Sequence, residues 1–318
     1  MKNKLKIVDV SLLSNYLGKW LTVVVATIVI GLALHAIVAT GGSSERNIVS
    51  ICMPDTRSPE GKPAYEPLRS LVRRETRRPV ELSTCAGEWT PGHDLYVMPI
   101  AAYFRHAELL DVEALFEITD SERRTDSAVL ISRPGDTVRA SDGPDYSGVS
   151  ADDVAFVSPN SINGFWIQAA RMQSAGFDLP ETIEAVKFEG KGDTVERVIF
   201  GVIYGSYRLG ACRLSDVTSL FERGVIRRGE VRILQKYDSL PEVVIAAHPG
   251  EANYYRRKLK NIGESLAGSA TTSTPDETVE LLKSSGFGGL WPITDERLAG
   301  ARKLYEQYAA LYGASQIQ

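Results

Sequence analysis

Between Ile48 and Tyr312, short apolar runs alternate with stretches of helical period, and this alternation constrains the chain to an α/β fold of helices layered on mostly parallel sheet. Strands are predicted at Ile48 to Cys52, Val80 to Ser83, Leu95 to Met98, where Pro99 ends the run, and Ser127 to Ser132. Further strands are predicted at Val154 to Val157, Ala185 to Phe188, Leu209 to Cys212, Val231 to Leu234 and Val243 to Ala247. Helices are expected over Tyr65 to Glu75, Asp111 to Phe116, Phe165 to Ala175, Val195 to Ile203 and Val217 to Arg223. Three more close the chain, at Tyr254 to Leu266, Asp276 to Ser285 and Asp295 to Tyr312. Arg133 to Ser150 is rich in Gly, Pro, Asp and Ser and reads as a loop.

The N-terminus follows a different rule. Trp20 to Ser44 carries no Lys, Arg, Asp or Glu, and Leu21 to Val38 is an almost unbroken apolar stretch, long enough to span a bilayer at the lower limit. Lys2, Lys4, Lys6 and Lys19 against a single Asp9 keep the leader, residues 1–20, in the cytoplasm. The leader is long for a secretory n-region, and Ile37 stands where cleavage after Ala39 wants a small residue. The expectation is a retained signal-anchor, a transmembrane helix over residues 21–38, and a short linker over 39–46. Cleaved or retained, the segment places the rest outside the cytoplasm, anchored in the inner membrane if retained.

The whole chain carries 36 Lys and Arg against 40 Asp and Glu, and the leader takes four of those cations and one acid, so the exported part is acidic. No basic stripe emerges, which argues against nucleic acid as a partner. The one cluster, Arg73-Arg74 with Arg77-Arg78, reads as a solvated helix face. An extracytoplasmic location permits disulfides. Cys52 and Cys85 each follow a predicted strand and are partners if those strands are neighbours; sequence leaves that open, and Cys212 is then a buried thiol. The four histidines are scattered and no Cys-x-x-Cys occurs, so neither a metal site nor a cofactor is readable.

The richest local signal is Phe156 to Gly164, a strand end and a polar turn running into a helix. Such a turn presents unpaired N–H groups and the positive end of the helix dipole, the ingredients of an oxyanion cradle. Ser161 and Asn163 would add side-chain donors beside the amides around Asn160 and Ile162. The plain alternative is that Ser161 and Asn163 only cap the helix.

The order of these features from about Asn47 to Tyr312 resembles the phosphonate/phosphite/phosphate-type solute-binding proteins of ABC importers. Pro159-Asn160-Ser161-Ile162-Asn163-Gly164 aligns with that family's Pro-x-Ser-Thr-Ser-Gly turn, Gly192-Asp193-Thr194 with its Gly-x-His, and Gly205 to Gly210 with its Gly-x-Ala-Asp-Ala-Gly. Val231 to Leu234 and Tyr237 to Pro241 align with the return strand and its Pro-containing crossover. The resemblance implies the type 2 periplasmic-binding-protein architecture, two α/β lobes joined by two crossovers with a hinge and an interlobe cleft. Lobe one would comprise 47–126 and 237–318, lobe two 127–236. It also implies that the Ser161 turn holds the anion, that Tyr103 lines the other wall, and that Thr194 stands where the family has His. Ile162 and Asn163 replace hydroxyl residues of the family turn. Arg208 stands where the family has Asp, which favours a second anionic group over an ammonium.

The function expected is capture of a small oxyanion or a phosphorylated or phosphonate-like solute for an ABC permease, with no bond made or broken. An alternative keeps the fold but not the ligand: a membrane-anchored sensor or scaffold that binds a protein partner, such as a membrane sensor. An enzyme is disfavoured because no nucleophile has a positioned base and no carboxylates pair at a readable spacing.

Overall fold

The computed structural model describes residues 48–54, 66–85, 88–119, 126–138, 145–189, 195–268 and 289–313. The expected anchor, Thr194 and the helix expected over 276–285 lie outside the described residues. Among the described residues, no helix is long and apolar enough to cross a membrane.

Among the described residues, ten strands form two sheets. The larger has the order β10-β4-β9-β3-β1-β2, with β1 Val49–Met53, β2 Val80–Thr84, β3 Leu95–Pro99, β4 Glu113–Thr119, β9 Val243–Ala247 and β10 Gly289–Pro292. The smaller has the order β6-β7-β5-β8, with β5 Ser127–Ser132, β6 Val154–Ala155, β7 Leu209–Arg213 and β8 Arg232–Asp238. β1 pairs in parallel with β2 and β3, but β9 returns antiparallel between β3 and β4, and β5 pairs antiparallel with β7 and β8, so the sheets are mixed and not mostly parallel as expected. The chain therefore passes between the sheets twice, from β4 to β5 and from β8 back to β9. β5 is buried along its whole length and β3 along most of it, as strands covered on both faces must be.

Helices α1 Glu66–Thr76 and α6 Pro249–Gly268 cover one face of the larger sheet, burying Leu68, Leu71, Val72, Tyr255 and Leu259 against Val49, Ile51, Val97 and Ile245. The smaller sheet packs Val129 and Ile131 beneath α4 Val195–Tyr204 and α5 Leu214–Glu222. A third core is shared by the two sheets. It unites Tyr96, Met98 and Ile100 with Leu130, Phe156, Phe165 and Trp166. Its strap is the last helix, α7 Asp295–Tyr312, where Tyr305 lies 5.5 Å from Phe104 and 5.9 Å from Trp166, while Tyr308 lies 5.2 Å from Phe165. Aromatic pairs at such separations add to the area they bury. Cys52 and Cys85 close a disulfide between neighbouring β1 and the end of β2, with Cα atoms 5.8 Å apart, and Cys212 is free and buried.

Two predicted elements are corrected, and one unpredicted strand is added. Asp111 to Phe116 is not helical: helix α2, Ile100–Leu110, ends there on a left-handed Asp111 (φ 50°), and β4 begins at Glu113. Pro99 was read only as a strand stop, but a proline also suits a helix entry, and Ile100, Ala101, Tyr103 and Leu110 bury one face. Ala185 to Phe188 is a 3₁₀ turn, Ile183–Ala185, followed by one bridge from Phe188 to Phe156. β10 went unread because four residues ending in Pro292 give too little pattern for an edge strand.

One buried group runs against the core. Gln168 on α3, Ile167–Ser174, is fully buried, and neither amide atom has a hydrogen-bond partner among the described residues. An unpaired buried amide costs about 1–3 kcal/mol. Gln168→Met, close in shape, is expected to raise stability by about 1–2 kcal/mol, seen as a higher urea midpoint at unchanged slope. A lower midpoint would show that the amide is satisfied in solution, by a buried water for instance.

Candidate functional site

β6 is only two residues long, and the chain leaves it through Phe156, which exchanges hydrogen bonds with Lys187 O and Glu189 N. The turn that follows is pinned by Trp166 Nε1 donating to Pro159 O at 2.7 Å. It enters a π turn, Ile162–Trp166, before regular helix α3 begins. Such widened turns cluster at functional sites because they re-aim the first residues of a helix. Gly164 is required inside it: a Cβ there would lie 2.6 Å from Val157 Cγ2 and 2.8 Å from Ser161 Oγ.

Ser161 does cap the helix, its hydroxyl oxygen accepting from Gly164 N at 2.9 Å. The same hydroxyl donates outward, to Glu242 Oε1 at 2.7 Å, and Asn163 N–H donates to that same oxygen at 3.2 Å. The turn is therefore holding a carboxylate, and the carboxylate belongs to the second crossover. Asn163, almost fully buried, clasps this crossover twice more: Nδ2 donates to Leu240 O at 3.0 Å and Oδ1 accepts from Leu240 N at 2.9 Å. Ile100 N donates to Glu242 O at 2.8 Å, so one residue ties the turn of the smaller sheet to the start of α2 on the larger.

Arg213, at the end of β7, places a cation beside the cradle. Its Nη1 lies 3.8 Å from Glu242 Oε2 while its fork grips Asp216, with Nη2 to Oδ1 at 2.9 Å. The adjoining cavity, lined by Asn163, Arg213, Glu242, Glu117 and Arg297 among others, holds about 50 Å³, room for a few waters and not for a solute.

The structure brings Ser161 and Asn163 together with Glu242 and Arg213, and leaves the other expected site residues elsewhere. The Ile162 side chain is fully buried, so only its backbone is available to a ligand. Asn160 Oδ1 is buried with no partner among the described residues. Tyr103 is 5% exposed and its hydroxyl accepts from Ala114 N at 3.2 Å, which makes it part of the core beneath α2. Arg208 is committed to the loop after β5, with Nη2 to Asp136 Oδ1 at 3.2 Å, Nη2 to Thr137 Oγ1 at 3.1 Å and Nη1 to Gly148 O at 2.5 Å. Glu242 and Arg213 were missed. The available signals were a carboxylate placed directly after Pro241 in the crossover, and an arginine at the carboxyl end of a strand, where α/β folds bind ligands.

Burial pushes the Asp136 carboxyl up, but the Arg208 hydrogen bond, the Val138 N–H and the two guanidinium charges outweigh it and hold it below the usual carboxylate range. A depressed folded value means a contribution complete above the unfolded pKa and lost as pH falls through the folded one. Below about pH 4, amide exchange over residues 133–138 is expected to quicken before global unfolding. Arg208→Ala should produce the same local quickening at neutral pH; protection unchanged in both would count against this pairing as the loop's fastening.

The described architecture is thus two sheets joined by two crossovers, with a polar turn holding the Glu242 carboxylate at the join. The chain matches the family model "ABC transporter, phosphonate, periplasmic substrate-binding protein" over residues 93–298, more than half its length, and belongs to that family. This is a family of substrate-binding proteins rather than enzymes, and its periplasmic members work outside the cytoplasm. No curated protein matches the chain by sequence comparison. Among solved structures it is similar in fold to XAC2383 from Xanthomonas citri, bound to ATP, at 13% identity and a TM-score of 0.59, covering 83% of this chain and 99% of that one. PhnD1 from Prochlorococcus marinus, in complex with methylphosphonate, aligns at 9% identity and a TM-score of 0.55, covering 82% and 98%. A binding protein component of an ABC phosphonate transporter from Pseudomonas aeruginosa, PA3383, aligns at 12% identity and 0.53, covering 83% and 86%.

Proposed function

We propose that the protein captures a small oxyanion, or a phosphorylated or phosphonate-like solute, between two lobes, 47–126 with 237–318 and 127–236, and presents it to an ABC permease. Residues 21–38 would tether it to the membrane. One observation carries the reading: Ser161 Oγ and Asn163 N–H converge on a single carboxylate oxygen, so the turn is built to accept an oxyanion. In the arrangement described here, Glu242 stands in the ligand's place. A solute would displace Glu242 as the lobes part, and take the Ser161 hydroxyl, the amides of Ile162 and Asn163, and the charge of Arg213. Asn160 and Thr194 would complete the contact; Tyr103 and Arg208 would join only if opening frees them from Ala114 and Asp136. The methylphosphonate in PhnD1 and the transporter role of PA3383 support this ligand class.

The test is a thermal-shift and calorimetric screen of the full chain in mild detergent against phosphate, methylphosphonate, sulfate and malonate. Ligand that binds only the folded state raises the melting point by mass action. Ser161→Ala is expected to weaken the responding anion by about 1–3 kcal/mol, the range for a hydrogen bond to a charged partner. Undiminished affinity would remove this turn from the site.

A second reading rests on the same carboxylate. If Glu242 holds the cradle permanently, the protein is an anchored sensor or scaffold of the same fold with no transported ligand. A flat screen on folded protein, with capture of a membrane sensor, would favour it.

A further inference from the structure

A second cavity runs along α3 and borders the cradle's surroundings at Leu240. It holds about 600 Å³ and is walled by α3, the end of β8 and the inner face of α7. Three cations reach it, Arg171, Lys236 and Lys303, one from each wall, against a single carboxylate, Asp238. None of the three cations is ion-paired among the described residues. Arg171 Cζ lies over the Tyr237 ring, 4.9 Å from its centroid, which places a guanidinium against an aromatic ring. Ile167, Leu240 and Leu304 supply an apolar floor. Gln307 Nε2 donates to Gln173 Oε1 at 3.3 Å, tying α7 to α3 at one side of the cavity.

We infer that this cavity is a second binding site, for an organic anion with two or more negative charges on a flat, apolar body. Volumes of this order suit a ligand of that size. The charge set favours anions over cations, since three cationic residues line the cavity against one carboxylate. The Arg171–Tyr237 cation–π pair offers a surface suited to a planar group. The Ile167–Leu304 floor favours a carbon skeleton over an inorganic ion, which separates this site from the cradle. Occupation would also bear on the fold, because the ligand would touch α7, the helix that straps the two sheets together.

The test uses pyranine, a fluorescent pyrene trisulfonate, titrated by anisotropy into the full chain in a neutral detergent. Saturable binding of one probe per chain is expected. Lys303→Glu and Arg171→Glu should each weaken it at least tenfold. Lys260→Glu, an equal change of net charge at an exposed position of α6, should leave it within twofold, as should Ser161→Ala and saturating inorganic phosphate. Circular dichroism melts confirm folding of each variant, and Gly300→Phe, which fills the cavity beside Leu240, provides a charge-neutral check that should also abolish binding. Non-saturable binding overturns the proposal, as does equal loss in Lys303→Glu and Lys260→Glu. Displacement by phosphate would reassign the probe to the cradle and overturn it too.

Discussion

Removing one carboxylate should make this protein bind its oxyanion about a hundredfold more tightly. The variant is Glu242→Ala, titrated calorimetrically with whichever anion the wild-type chain answers. Glu242 Oε1 accepts from Ser161 Oγ and Asn163 N–H, the two donors a ligand would need. Each bond to a charged acceptor is worth about 1.5–3 kcal/mol. The Glu242 side chain keeps 26% of its exposure, so water competes and the sum stays near the lower end, about 2–3 kcal/mol. Apparent affinity falls by the fraction of molecules whose cradle is free, and a latch of about 2–3 kcal/mol leaves roughly one in a hundred free. Glu242→Gln should give a smaller gain, because a neutral amide oxygen still accepts but without the charge. The main-chain bond from Ile100 N to Glu242 O is untouched by either change, so the crossover keeps its fastening to α2. Unchanged affinity in both variants would show that the latch is absent in solution. Weaker binding would mean that Glu242 contacts the ligand instead of competing with it.

A carboxylate that competes for the ligand's donors should also set selectivity. Any solute must outbid a carboxylate already at the donors, with Arg213 nearby to reward additional charge. Singly charged ions that make only the same two bonds gain little by exchange. Dianions, or oxyanions with three acceptor oxygens, gain from Arg213 and from the amide of Ile162. The departures from the family turn fit this: losing two hydroxyls leaves the backbone donors, and the gained Asn163 amide goes to Leu240 rather than to the ligand.

What was legible in the sequence follows from which interactions are local. β1, β5 and β7 were readable because buried strands show as short apolar runs, and α7 because eighteen residues hold their period. Helix α2 was hidden because Ile100 to Tyr103 continues the apolar run of β3 and Pro99 looked like an end rather than an entry. The turn at Ser161 was found because capping chemistry lies within four residues. Its partner could not be, since Glu242 is 79 residues from Asn163 and only the crossover brings it back. Arg208 misled for the opposite reason: motif alignment placed it, yet Asp136, 72 residues earlier, binds it first. Charged side chains are settled by whichever opposite charge the topology delivers, and a linear motif carries no record of that.

The same principle governs the largest stability effect expected. Glu117 on β4 is fully buried, and Arg297 on α7 answers it with two donors, Nε at 3.0 Å and Nη2 at 2.9 Å from Oε2. Arg297 sits in the first turn of α7, after the Thr294 cap and beside Asp295 and Glu296, where the helix dipole favours acids. A cation is out of place there unless it serves a buried partner. Arg297→Ala should therefore cost about 3–5 kcal/mol, the penalty for removing one partner of a buried ion pair. Replacing both residues, Glu117→Gln with Arg297→Met, should recover most of that loss, because a neutral pair owes no charge desolvation. Urea melts of the single and double variants decide it: a loss under about 1 kcal/mol for Arg297→Ala would class the pair with surface bridges. The consequence reaches the site, since β4 feeds the first crossover and α7 carries Tyr305 and Tyr308 onto the shared core. Loosening α7 should free the lobes to part, so Arg297→Ala should bind the anion no more weakly than wild type even as its melting point falls.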